Sequence, residues 1–139
     1  MVPNYNDYSI GNLQLLADHI AGQYNIPANI FSAQINQESG FNPHAEGDYG
    51  LNASDPSAPT SFGLGQINVL AHPKFDVTRA MTGNNGLPDL SYQLNYQAEY
   101  LSNLYNQYGD WPAALARYNG SGPAATAYAN KILSAAGGQ

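Results

Sequence analysis

Apolar residues recur at helical spacing early in the chain. Ile10, Leu13, Leu16, Ala17, Ile20 and Tyr24 fall on one helix face, and Ser9 is placed to cap it. Asn25-Ile26-Pro27 breaks that pattern, and Pro27 in a first-turn position restarts it. Ile30, Phe31, Gln34, Ile35 and Glu38 then follow on adjoining faces, which sets Glu38 one turn beyond Gln34 and Ile35, just ahead of Gly40. From Gly40 to Thr60 the period is lost among Gly, Asn, Pro, Asp, Ser and Ala, which predicts a long irregular loop. A loop of that length in a small domain is either a mobile insertion or the wall of a cleft.

Order returns at Ser61-Phe62-Gly63-Leu64-Gly65-Gln66-Ile67, read as a short helical turn or tight bend whose two glycines allow close backbone approach. Phe75 to Met81 predicts a short helix, followed by turn residues Thr82 to Gly86. Asn85-Gly86 suits a hairpin turn, but its flanks do not alternate as strands do. The strongest period follows, with Leu90, Leu94, Ala98, Leu101, Leu104, Tyr105 and Tyr108 on one face between Pro88-Asp89 and Gly109. Asp110-Trp111-Pro112 opens a shorter helix to Asn119, and Gly120 to Pro123 separates it from a last helix from Ala124 to about Ala136. No segment reads as a strand, so the fold expected is all-α, with a cleft lined by loops.

Composition narrows the partners. A chain of 139 residues, 43% of them hydrophobic, fits one domain with one core. With only four Lys and Arg against ten Asp and Glu, the net charge of −6 forms no basic patch for nucleic acid or an anionic membrane. Zero cysteines exclude disulfides, thiol nucleophiles and cysteine-ligated zinc. No apolar run has membrane length, and Met1 to Asp7 does not begin a secretory signal, so a route outward is expected from another device or a flanking segment.

Only three glutamates occur, and Glu38 is the one at a predicted helix end. There the negative end of the macrodipole, partial burial beside Ile35 and Phe41, and the overall negative charge all push a carboxyl pKa upward, as a general acid near neutral pH requires. By position alone, a solvated helix-end residue is the simpler reading. His19, His44 and His72 lack ligand spacing and are read as surface or packing residues. Asp48, Asn52 and Asp55 lack the spacing of a calcium loop and are read as solvated. Tyr92, Tyr96, Tyr100, Tyr105 and Tyr108 are read mainly as packing residues, and Trp111 as a core anchor. No metal or cofactor is expected.

Three blocks in order change the weight on Glu38: Glu38-Ser39-Gly40-Phe41-Asn42-Pro43-His44-Ala45, then Ser61 to Ile67, then Ala114-Leu115-Ala116-Arg117-Tyr118-Asn119-Gly120-Ser121-Gly122-Pro123. Together they closely resemble the signature blocks of the soluble lytic transglycosylases of the lysozyme-like superfamily, over about Ile26 to Ile132. The resemblance implies a two-lobed helical fold with a glycan groove, acting as a monomer on peptidoglycan strands at the bacterial cell wall. It implies that Glu38 is the single catalytic acid and base, and that Gln66 hydrogen-bonds sugar or acetamido groups. It further implies that Tyr118 and Asn119 support the substrate, with the tyrosine hydroxyl near the carboxylate, and that Ser61 is a small hydroxyl residue near the acid. Gly65 departs from the family's usual methionine, and Glu46 to Thr60 is longer than the usual connection. The expected reaction cleaves the bond between N-acetylmuramic acid and N-acetylglucosamine with formation of a 1,6-anhydro ring. A lysozyme- or chitinase-type hydrolase and a non-catalytic glycan-binding or phage structural module are the rival readings. A phage lysin or virion-associated enzyme, or a module of a larger secretion or conjugation protein, would suit so small a wall-degrading domain.

Overall fold

The computed structural model describes residues 3–137. Its helices are α1 (Ile10–Gln23), α2 (Ala28–Ser39), α3 (Val77–Thr82), α4 (Leu90–Tyr108), α5 (Trp111–Asn119) and α6 (Gly122–Ala135). Between α2 and α3 lie three two-residue strands, β1 (Glu46–Gly47), β2 (Ser61–Phe62) and β3 (Ile67–Asn68), in antiparallel order β1-β2-β3. The strands correct the expectation that none would form. Two residues per strand are too few to display alternation, and Ser61 to Ile67 is the hairpin of β2 and β3, with Phe62 opposite Ile67.

The helical boundaries follow local chemistry. Asp76, Asp89 and Asp110 cap α3, α4 and α5 by accepting from the N–H of Arg79, Tyr92 and Ala113 at 3.0, 3.0 and 2.7 Å, each cap contributing about 1 kcal/mol. Ser9 stands at the N-cap of α1 without a side-chain cap bond, and its own N–H donates to Asp7 Oδ1. Pro27 is the N-cap of α2 rather than a first-turn residue, and α6 begins two residues early with Pro123 inside its first turn. Asn84 and Leu87 form one isolated bridge around Asn85 (φ 53°) and Gly86 (φ 89°), so the Asn-Gly turn is a hairpin turn without strands.

Two apolar clusters result. The larger joins α1, α2, α4, α5 and α6 through Leu16, Phe31, Ile35, Leu94, Leu101, Leu115 and Ile132, none of them more than 2% exposed. The smaller holds Ile67, Phe75 and Ala80 under α3 and the hairpin, and Tyr118 packs against both. Ile10, placed on the core face by its spacing, is 59% exposed, and burial along α1 begins at Leu13. Trp111 stacks on Tyr105 at 4.1 Å and packs against the larger cluster.

The turn after α2 sets the position of the first sequence block. Gly40 (φ 62°) and Phe41 (φ 61°) are consecutive left-handed residues, and together they return Phe41 to the core at 6% exposure. A bulky residue at positive φ is strained, and it persists only where packing enforces it. Here that packing fixes how the end of α2, and hence Glu38, meets the loop.

Candidate active site

A cleft of about 430 Å³ opens between the end of α2, the loop and hairpin, and the end of α5. Its walls include Glu38, Asp48, Leu51, Gln66, His72, Arg117, Tyr118 and Asn119. Four of the five residues singled out from sequence therefore line one cavity: Glu38, Gln66, Tyr118 and Asn119. Ser61, fully buried, lies beneath the wall.

Glu38 is the penultimate residue of α2 and partly buried. Burial disfavours its ionised form most strongly, the hydrogen bond from Tyr128 opposes that effect, and the negative charge of Asp48 adds to it; the balance is a pKa pushed up to about 7. A carboxyl in this state holds a proton near neutral pH and releases it readily, which is the working range of a general acid.

The hydroxyl that touches Glu38 is not the one expected. Tyr118 Oη donates to the Gly65 carbonyl at 2.8 Å, whereas Tyr128 Oη on α6 donates to Glu38 Oε2 at 2.5 Å. Burial and the nearby Glu38 charge push the Tyr118 phenol well above its ordinary range, so it works as a neutral donor. Tyr128 lies outside the matched blocks. Its signal was the spacing Ala125, Tyr128, Ala129, Ile132, which places it on the inward face of the last helix.

Asp48 is exposed, in keeping with its reading as a solvated loop residue, but it is also held in place. It lines the cleft at φ 56°, and Ser61 Oγ donates to its Oδ2 while Thr60 Oγ1 donates to its carbonyl at 2.7 Å. Asn68 Nδ2 donates to both of those hydroxyls, at 3.1 and 3.2 Å, which directs their protons toward Asp48. Ser61 is thus linked to the cleft through Asp48, whose carboxylate it holds. Gly50 N–H to Pro56 O at 2.9 Å and Thr60 N–H to Gly47 O at 3.0 Å fasten the loop, which reaches the cleft wall through Asp48 and Leu51.

The hairpin is held by glutamines. Gln66 (φ 49°) directs Nε2 to the carbonyls of Ala45 and Gly63, both at 3.1 Å, while its Oε1 has no hydrogen-bond partner among the described residues. Gln93 Oε1 accepts the Leu64 N–H at 2.9 Å, and its Nε2 donates to the carbonyls of Pro43 and Ala80. A Cβ on Gly63 would stand 2.6 Å from Gln93 Oε1, and one on Gly65 would stand 2.7 Å from the Gln97 amide. The glycines of this block are therefore required by α4 packing from behind.

His72 adds an aromatic contact at the cleft edge, lying edge-on to Tyr96 and Tyr100 with Nδ1 3.2 Å from Tyr96 Oη. Burial lowers its pKa, which favours the neutral imidazole. Among the described residues, no group of three His, Asp or Glu side chains could hold a metal ion, and no helix is long and apolar enough to cross a membrane.

No curated protein and no solved structure gives a significant match to the chain. The family profile described as the transglycosylase SLT domain matches residues 16–136, from within α1 through the end of α6, and so contains every cleft residue described above. With its mostly helical architecture, the chain belongs to the transglycosylase SLT domain family, the lytic transglycosylases of the lysozyme-like superfamily.

Proposed function

We propose that the protein is a peptidoglycan lytic transglycosylase that cleaves the β-1,4 bond between N-acetylmuramic acid and N-acetylglucosamine at the bacterial cell wall. The observation that carries this reading is a partly buried carboxyl, Glu38, with a pKa of about 7 on the wall of a cleft in a chain of this family. Protonated Glu38 gives its proton to the glycosidic oxygen as the bond to C1 of the muramyl residue breaks. The acetamido oxygen of that residue closes on C1 and carries the cationic centre. Ionised Glu38 then takes the proton of the C6 hydroxyl, whose oxygen displaces the acetamido group to give the 1,6-anhydro ring. The carboxyl ends protonated as it began, and no water is consumed.

Supporting roles follow from the free atoms. Gln66 Oε1 can accept from a sugar N–H or hydroxyl, and Asn119, exposed at the end of α5, can pair with the glycan from the opposite wall. Tyr118 braces the hairpin carbonyl of Gly65 and presents its ring to the cleft. The test is clearance of a cell-wall suspension by wild type beside Glu38→Gln. Loss of clearance in the variant supports an enzyme, and equal behaviour of the two supports a binding or structural module.

One observation favours a second reading. Asp48 supplies a held carboxylate in the same cleft, the component an inverting hydrolase uses to activate water. On that reading the product carries a reducing end.

A further inference from the structure

Behind Glu38, on the side away from the cleft, runs a line of hydrogen bonds across three helices. Gln97 Nε2 on α4 donates to Gln34 Oε1 on α2 at 2.9 Å, and Gln34 Nε2 donates to Tyr128 Oη on α6 at 3.2 Å. Tyr128 then donates to Glu38 Oε2 at 2.5 Å. Both glutamines are fully buried, and Gln97 Oε1 has no partner among the described residues. Burying an unpaired carbonyl is costly, so this amide is held where packing alone would favour an apolar side chain. Gly65 makes room for it by lacking a Cβ.

The line has a direction. An amide can present either its N–H or its oxygen, but a phenol has one proton. Gln97 turns its N–H to Gln34 and its Oε1 toward Gly65, and in that arrangement Gln34 turns its oxygen to α4 and its N–H to Tyr128. The Tyr128 oxygen is then occupied as an acceptor, and its only proton points to Glu38. If the line ran the other way, Tyr128 would donate to Gln34. Protonated Glu38 would then donate inward to Tyr128, with its proton on the oxygen turned from the substrate.

We infer that Gln97 and Gln34 are positioning residues that make Tyr128 a permanent donor to Glu38 Oε2, so that the transferable proton of the acid is carried on Oε1. The inference rests on the proposed role of Glu38 for its meaning in catalysis, but not for its test. The titratable and charged groups facing Glu38 are Asp48 from the loop, His72 beyond β3, Tyr100 on α4, Arg117 and Tyr118 on α5, and Tyr128 on α6. Of these, Tyr128 alone shares a hydrogen bond with Glu38 among the described residues.

The test is an NMR titration of the Glu38 carboxyl carbon in wild type, Tyr128→Phe, Gln97→Met and the double variant. Tyr128→Phe removes the donor and should raise the midpoint by roughly one to two pH units. Gln97→Met keeps the side-chain length but frees the Gln34 amide to turn over; it should raise the midpoint in the same direction. The double variant should go no higher than Tyr128→Phe alone. Gln97→Leu replaces Gln97→Met should the latter not fold. A wild-type midpoint in the Gln97 variant, or additive shifts in the double variant, would overturn the inference. Because the readout is the titration itself, it stands apart from the wall-clearance result, which decides separately whether Glu38 is the catalytic acid.

Discussion

Tyr128 Oη lies 2.5 Å from Glu38 Oε2, joining the last helix to the end of the second across ninety positions of sequence. That bond favours the ionised carboxylate, while burial and Asp48 favour the protonated one, and the second pair prevails. The Glu38 carboxyl is therefore tuned by opposing neighbours rather than by its place on the helix alone.

Removing the acid is the first consequence. Glu38→Gln keeps the shape of the side chain and should lower the rate of glycan cleavage by roughly 100- to 10,000-fold or more, since the proposed mechanism gives one group both proton transfers. Initial rates on purified peptidoglycan check this, with circular dichroism confirming an unchanged fold.

The pH dependence follows from the same carboxyl. As the proposed general acid Glu38 starts protonated, so cleavage should fall as pH rises through about 7. Its folded pKa is raised above the ordinary 4.5, so the folded protein binds the extra proton between those values. Its contribution to stability is complete below pH 4.5 and is lost as pH rises through about 7. Thermal melts of wild type and Glu38→Gln from pH 4 to 8 should diverge in that window, with the variant gaining relative stability toward the alkaline end.

Asp48→Asn separates the two cleft carboxylates. Its negative charge raises the Glu38 pKa, so the variant's alkaline limb should move to lower pH. If Asp48 acts only through Glu38, the product remains anhydro-ended and the rate at pH 5 changes little. Rate profiles with product analysis read both effects.

Gly65 faces Gln97 too closely for any side chain. Gly65→Ala should destabilise the protein by about 1–3 kcal/mol through overpacking against the amide. Adding Gln97→Ala should recover part of that loss, measured by chemical denaturation. The exchange gives a structural reason for the departure at this position: the space in which a methionine side chain would begin is occupied by Gln97.

How much of this was legible in the sequence depended on the length of the pattern. The nineteen residues of α4 carry a full apolar period between Asp89 and Gly109, and both its ends agree with expectation. The strands of two residues carry none, and Ser61 to Ile67 was read as a bend because its pairing partners, Glu46 to Gly47 and Asn68, are fixed by tertiary contacts. The three blocks single out Glu38, Gln66, Tyr118 and Asn119, which do line one cleft, because the blocks lie at element ends where local sequence shapes it. Asp48 and Tyr128 are not singled out. Asp48 depends on Thr60, Ser61 and Asn68 folding over it, and Tyr128 depends on how α6 docks against α2, neither of which leaves a local mark.

In the proposed reaction the C6 hydroxyl, not water, receives the muramyl residue. Digestion of purified peptidoglycan in water labelled with heavy oxygen, followed by mass spectrometry of the muropeptides, tests it most directly. A transglycosylase leaves 1,6-anhydro-muramyl ends free of label, whereas reducing ends carrying the heavy oxygen at C1 would show a hydrolase instead.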